Sequence, residues 1–236
     1  MIQGVDVSSH QGIFDWDKAK EVGVRYAFLR CTFGKLLDTQ FQRNWAEAKR
    51  VGIPRGAYGW CLFNANQVSM ATLFVKQLKD DYGELPPVVD FEKWGDGWVG
   101  FGALQLYCET IEKLMNRKPI IYTSYGYWES LRDFSGQFWA TNYDLWLAQY
   151  TGNVVPYRIP KPFEDWKFWQ FTSVGDGNAY GVPKKGSPID LDRFNGDEVA
   201  FQKYIKGVIP TPPPTSNLES RVAKLEAWAR TQGYGG

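Results

Sequence analysis

Eight short apolar runs, rich in β-branched and aromatic residues, punctuate the chain at 2–7, 24–30, 53–60, 87–92, 119–124, 145–150, 167–172 and 189–194. Their composition and length are those of strands. Between the early runs the apolar period changes to three and four, the spacing of one helix face. These segments are 15–22, 41–51, 68–82, 104–115 and 127–134. In the fourth, the stripe is Leu104, Tyr107, Cys108, Ile111, Leu114 and Met115. Asp15 stands where a cap for the first helix belongs. After residue 145 loops rich in glycine, proline and aromatics replace the helices, until 201–205 supplies a closing one.

Alternating strands and helices predict a parallel sheet with right-handed crossovers. Eight strands predict an α/β fold: a closed β/α barrel of the TIM type, irregular in its last third. In such barrels the site lies at the C-terminal ends of the strands. The domain is expected to end near Gly207. A stiff Pro-rich linker follows at 208–216, then a short helical tail at 217–236 with Asn217 as its cap. Leu218, Val222, Leu225 and Ala229 form a two-heptad seam in that tail. Self-association through residues 217–230 is one expectation for it; docking on its own barrel is the other.

The fourth strand carries the chemistry. Leu85-Pro86-Pro87-Val88-Val89-Asp90-Phe91-Glu92 places two acids at i and i+2 of an apolar run. Alternate strand residues share a face, so the Cα atoms of Asp90 and Glu92 lie about 6.6 Å apart on one side. Like charges that close raise at least one pKa, and an acid protonated near neutral pH is what a general acid requires. Asp6 near the end of the first strand, and Asp190 and Asp192 on the eighth, sit where they can face the same mouth. Each alone reads as a strand-end acid or helix cap; their joint placement favours a site.

Composition narrows the partners. A net charge of +1 gives no electrostatic case for nucleic acid or an anionic membrane surface. No apolar run is long enough for membrane insertion. Aromatics make up 17% of residues, with 11 Trp. Most are expected in the core, but a carbohydrate groove would also use them. Cys31, Cys61 and Cys108 lack metal or redox spacing and read as reduced core thiols. Met1-Ile2-Gln3-Gly4 leads straight into a strand, so synthesis in the cytoplasm without a signal peptide is expected. His10, the only histidine, is expected to hold a loop by hydrogen bonds; no metal and no cofactor are expected. Gly95-Asp96-Gly97-Trp98-Val99-Gly100 matches a dinucleotide fingerprint, yet the acids before it would repel a pyrophosphate and Glu112 falls inside a helix. A glycine-rich loop beside a groove is the better reading.

Gly4-Val5-Asp6-Val7-Ser8-Ser9-His10-Gln11-Gly12 resembles the opening signature of glycoside hydrolase family 25, the Chalaropsis-type lysozymes of bacteria and phage endolysins. Gly56-Ala57-Tyr58, Val89-Asp90-Phe91-Glu92, Ile121-Tyr122-Thr123, Leu145 to Tyr150, Trp169-Gln170-Phe171 and Ile189 to Phe194 resemble its later blocks, in order. The resemblance implies a barrel of five strand–helix units and three trailing strands over residues 1–207. It implies muramidase action on bacterial peptidoglycan by an enzyme acting at the cell wall, with Glu92 as general acid and Asp90 stabilising charge or orienting the 2-acetamido group. Asp6 and Asp190 would complete an acidic floor; Tyr58, Trp60, Tyr122, Trp146 and Gln170 would contact sugar. Members often carry histidine after the Gly-Ala-Tyr block, where this chain has Gly59 and then Trp60. Two rivals remain open at this point: a non-catalytic wall-binding or virion module, and a chitinase-like hydrolase, although the latter's acidic run before Asp90 is missing.

Overall fold

The computed structural model describes residues 1–62, 66–93, 95, 97, 99–207 and 218–231. The strands are β1 Ile2–Val7, β2 Tyr26–Phe33, β3 Leu36–Leu37, β4 Arg55–Trp60, β5 Val88–Asp90, β6 Ile120–Ser124, β7 Asp144–Ala148, β8 Phe168–Asp176 and β9 Pro188–Phe194. The helices are α1 Trp16–Glu21, α2 Phe41–Arg50, α3 Gln67–Gln77, α4 Phe101–Met115, α5 Tyr125–Ser130, α6 Gly177–Tyr180, α7 Glu198–Gly207 and α8 Leu218–Thr231. All eight expected strands are present. They follow the order β1-β9-β8-β7-β6-β5-β4-β2, a β1–β2 pairing closes the barrel, and the two-residue β3 hangs on β2. Five strand–helix units precede three trailing strands. Asp15 caps α1 by accepting the Lys18 N–H at 3.0 Å. The linker and Asn217 lie outside the described residues.

One expectation fails. The sheet is not wholly parallel, because β9 runs antiparallel to both β1 and β8. The 177–187 connection holds only the one-turn α6 and is too short for a helical crossover, so the chain folds straight back. The reversal has two consequences. It carries Asp190, near the start of β9, to the same mouth as the ends of the parallel strands. It also delivers α7 to the opposite end, where Phe201 and Ile205 close the barrel floor.

Strand alternation sorts the interior from the helix layer. On β2, Ala27, Leu29 and Cys31 pack outward, while Tyr26 and Phe28 point in. On β5, Val89 packs outward and Val88 inward. The lower interior is aromatic: Phe28 stacks on Trp146 at 4.4 Å, and Phe168 meets Tyr26 and Phe28 edge-on at 5.2 and 5.0 Å and Phe194 at a tilt at 5.3 Å. Two glycines make room for these rings. A Cβ at Gly4 would lie 2.4 Å from the Tyr26 ring, and one at Gly56 would lie 2.6 Å from the Phe28 ring. Trp16, Trp128, Trp146 and Trp169 are all fully buried, so much of the tryptophan surplus is core.

The tail helix α8 lies on α3 and α4 of its own chain. Leu218, Leu225 and Ala229 are buried there and Val222 packs beside them. Arg221 donates to the carbonyls of Lys113 and Leu114, and the Lys113 ammonium sits 3.5 Å over the Trp228 ring. The seam expected to offer a self-association surface is therefore covered within the chain. Among the described residues no helix is long and apolar enough to cross a membrane.

Candidate active site

The C-terminal mouth of the barrel opens into a groove of about 550 Å³. Asp6, Asp90, Glu92 and Asp190 line it together with Tyr58, Trp60, Tyr122, Trp146 and Gln170, so every residue expected in the site from sequence is brought to one place. Asp6 and Asp190 are direct register partners across β1 and β9, which sets their Cα atoms about 4.5–5.5 Å apart. Asp90 stands between Trp60 of β4 and Tyr122 of β6 in register. Glu92 lies just past the end of β5 rather than on it. The ladder still holds that step: the Phe91 N–H donates to the Tyr122 carbonyl and the Cys61 N–H to the Asp90 carbonyl, both at 2.9 Å. Phe91 is fully buried against Phe101, Tyr127 and Trp128. That outward anchor turns both flanking acids toward the groove.

Gln170 organises the floor. Its Nε2 donates to Asp6 Oδ2 at 2.7 Å, and its Oε1 accepts from the Tyr122 and Tyr150 hydroxyls at 2.9 and 2.8 Å. Trp146 is 2% exposed and its indole N–H donates to Asp192 at 2.8 Å, so it is floor rather than wall. Tyr58 and Tyr122 are also buried. The rings that stand open to a ligand are Tyr150, 56% exposed, and the half-buried Trp60 and Phe33.

Burial pushes the Glu92 carboxyl up to about 7, with the Asp190 charge adding to it. Asp190 is raised to about 6, again by burial. Asp6 is raised well above the carboxylate range by burial, then by Asp190 and Asp192. Asp90 is raised by burial and by the Glu92 charge, while Arg30 acts in the opposite sense. The expectation that ionised Asp90 is what keeps Glu92 protonated is thus corrected: burial does most of it, Asp190 helps, and the hydrogen bond with Asp90 lowers Glu92. Asp90 and Glu92 act as one unit sharing a proton. Asp90 Oδ1 is buried and accepts from no N–H or hydroxyl, and the contact between the two carboxyls raises Asp90 while it lowers Glu92.

Two further expectations change. His10 does not hold its loop; Ser8 and Gln11 do, through a reciprocal cap, with the Ser8 N–H donating to Gln11 Oε1 at 2.9 Å. The imidazole is exposed at the groove edge, and among the described residues no hydrogen bond engages it. At position 59 no side chain fits, since a Cβ would lie 2.6 Å from the Tyr107 hydroxyl and 2.9 Å from the Phe74 ring. The side chain that faces the groove there is Trp60. Of the glycine-rich stretch, Gly95, Gly97, Val99 and Gly100 are described and none lines the groove.

Sequence reasoning missed Arg30, Asp38 and Tyr150. Arg30 Nε donates to Asp38 Oδ2 at 2.8 Å and its Nη2 to Ser9 Oγ at 2.9 Å, bracing the groove wall beside Asp90. The signal for Arg30 was strand period, since it follows Tyr26 and Phe28 on the inward face of β2. Among the described residues no three His, Cys, Asp or Glu side chains converge as a metal site requires.

A β/α barrel with a protonated carboxyl beside a second acid, in a groove with open aromatic rings, defines a glycoside hydrolase. Comparison with known proteins fixes the kind. The profile of "Glycosyl hydrolases family 25" matches residues 5–180, and the chain belongs to that family, whose members include lysozymes. Lysozyme M1 of Streptomyces globisporus is 29% identical over 208 residues, covering 83% of this chain and 68% of that protein. The bacterial lysozyme of Streptomyces coelicolor superposes with a TM-score of 0.74 at 25% identity, covering 88% of this chain and 98% of that one. The CTP1L endolysin shares the fold at a TM-score of 0.71 and 23% identity, over 88% of this chain and 70% of its own.

Proposed function

We propose that this peptidoglycan hydrolase is an N-acetylmuramidase that cuts the β-1,4 bond from N-acetylmuramic acid to N-acetylglucosamine. The observation that carries the reading is Glu92, a carboxyl held protonated near neutral pH at the groove surface, with Asp90 beside it. Glu92 donates its proton to the leaving glycosidic oxygen as the C1–O bond breaks. The sugar ring becomes oxocarbenium-like, and negative charge at Asp90 stabilises it directly or holds the 2-acetamido group against C1. Water then adds at C1 and returns a proton to the carboxylate of Glu92. Asp6 and Asp190 extend the floor of carboxyls beneath the ring, and Trp60 and Tyr150 offer faces for neighbouring sugars.

The finer role proposed is lysis of a host cell wall by a phage enzyme; the shared fold of the CTP1L endolysin supports it. The test is digestion of purified bacterial walls with mass spectrometry of the fragments. New N-acetylmuramic reducing ends are the expected product. N-acetylglucosamine reducing ends, or cutting of chitin in preference to walls, would overturn the bond assignment. Binding to walls without cleavage would favour the non-catalytic module.

A further inference from the structure

Beyond Trp60 the groove continues along a ledge that the chemistry above does not use. Register carries it sideways across the sheet: Asp90 of β5 pairs with Trp60 of β4, Trp60 with Phe33 of β2, and Phe33 with Leu36 of β3. Three strand spacings of about 4.8 Å put Leu36 roughly 14 Å from Asp90 along the sheet. Phe33, Leu36 and Leu37 all line the groove, and the two leucines are 68% and 50% exposed.

A β-bulge builds the ledge. Tyr26, Phe28 and Arg30 alternate inward on β2, and unbroken alternation would turn Phe33 outward. Between Arg30 and Thr32 the register slips, so that Cys31 and Thr32 stand against Gly59 alone. Both are fully buried, and Phe33 returns to the groove side. A Cβ at position 59 would lie 2.9 Å from Thr32 Oγ1, so glycine there makes room for the extra residue. The hairpin beyond is held at both ends. The Gly34 N–H donates to the Trp60 carbonyl at 3.1 Å, and the Asp38 N–H to the Cys31 carbonyl at 3.0 Å. The Asp38 carboxylate accepts from the N–H groups of Ser9 and Gln40, both at 2.9 Å, and from Arg30. Two exposed leucines on a fixed edge strand are an aggregation liability unless something covers them.

Three features say what covers them. Aliphatic side chains offer no flat face to a sugar ring and no partner to its hydroxyls, but they fit methyl groups. Among the described strands β3 pairs with β2 alone, so its outer edge is open to an extended backbone. The bases of the groove, Arg30 and His10, stand on this side, and Lys35 is exposed at the hairpin turn. Arg30 is engaged by Asp38, whereas the exposed His10 has an N–H to give in either charge state. An extended, methyl-bearing, anionic chain matches all three.

We propose that this ledge binds the peptide stem carried by a muramic acid at the cleavage site. Leu36 and Leu37 pack on its methyl groups, and His10 donates to one of its carboxylates. An extended peptide covers about 3.3–3.6 Å per residue, so about four residues reach from a sugar over Asp90 to Leu36. The inference deepens the muramidase reading and rests on it: the enzyme reads the stem as well as the glycan.

The test compares glycan strands that keep their stems with the same strands stripped by an amidase. Wild type should show kcat/KM roughly tenfold higher on the stem-bearing strands, the lower end of what an apolar contact discriminates. In Leu36→Ser/Leu37→Ser that ratio should fall to near one; both positions are exposed, so folding should be kept, which a melt checks. Tyr150→Ala should lower both rates together and leave the ratio alone. A wild-type ratio of one, or a ratio that the double variant does not change, overturns the proposal. A double variant slowed equally on both strands also overturns it, and gives the ledge to sugar. Binding is read apart from cleavage in Glu92→Gln. There N-acetylmuramyl tetrapeptide should shift the Leu36 and Leu37 methyl resonances, and N-acetylmuramic acid alone should not. Absence of that shift sinks the ledge even if walls are cut. A wild type that cuts neither strand sinks the muramidase reading, while the methyl shifts still decide the ledge.

Discussion

At the α7 end of the barrel, Tyr26, Phe28, Phe168 and Phe194 meet ring against ring and exclude water. One step further toward the mouth, the same inward faces carry Arg30 on β2, Asp90 on β5, Gln170 on β8 and Asp190 on the reversed β9. The lower half stabilises by burying apolar area and by ring contacts. The upper half holds carboxyls in a setting that disfavours their charged forms. Every strand serves both halves, so the boundary lies along the strands, one side-chain layer deep. The aromatic layer is what permits the acidic one: it seals the floor, lowers the local dielectric and so raises the acids above.

The two halves should separate under mutation. Glu92→Gln removes the donated proton with little change in shape. A loss of about two to four orders of magnitude in kcat is expected, with thermal stability kept or raised because a buried acid is gone. Turbidity clearing of cell walls and a thermal melt on the same sample read both at once. Near-wild-type lysis by the folded variant would remove Glu92 from its role.

Phe168→Ala should do the reverse. Its ring is fully buried among Tyr26, Phe28, Phe194 and Tyr204. Truncation is expected to lower stability by about 3–5 kcal/mol. Below its melting temperature the variant should keep the wild-type pH profile, since no acid has been touched. Denaturant titration with parallel rate measurements checks this; a shifted profile would show that the aromatic layer sets the pKa values more directly than by sealing the floor.

These halves were not equally legible in the sequence. Strand count, the helix faces and the inward acids follow from period alone, which is why Asp6, Asp90, Glu92 and Asp190 converge as their spacing implied. The direction of β9 was not legible, because a short connection rich in Gly, Pro and Lys reads as a loop whichever way the next strand runs. The floor of the groove was also hidden. Gln170 of β8, Tyr122 of β6 and Tyr150, just past β7, act through hydrogen bonds to one another, and no single strand shows that pairing. Trp146 was expected against sugar; only the packed structure shows its indole N–H turned to Asp192.

The pH dependence sharpens the comparison further. Glu92 rises from an ordinary 4.5 to about 7 and Asp190 from 3.8 to about 6. A raised folded-state pKa means the folded protein binds more protons than the unfolded chain across that window. The corresponding stability is present below about pH 4 and is lost as pH climbs through 6 to 7. Melting temperature should therefore fall from mildly acidic to neutral pH, and Glu92→Gln and Asp190→Asn should each flatten the slope. Asp190→Asn should also move the alkaline limb of the rate profile to lower pH, because its charge is one of the two influences holding the Glu92 proton. Asp90→Asn, despite sitting closer in sequence, should move that limb less, since its hydrogen bond works the other way. The opposite ranking in the two rate–pH profiles would return the tuning role to Asp90.

The smallest effect on either half should come from the tail. Helix α8 touches neither the aromatic floor nor the groove; it covers the outer faces of α3 and α4. Burying Leu218 and Leu225 there contributes about 1.5–3 kcal/mol per side chain at most, and less once the helix's own ordering entropy is counted. A chain ending at Gly207 should thus melt a few degrees lower, by the roughly 2–4 °C per kcal/mol expected at this size. Its rate per folded molecule and its pH limbs should match those of the full chain. Light scattering gives the complementary reading. With its apolar stripe held against α3 and α4, the full chain is expected to be monomeric, whereas the truncated chain exposes the surface that α8 covered and is the one that should associate at high concentration. A dimeric full chain that becomes monomeric on truncation would reverse this and assign the stripe to a partner copy.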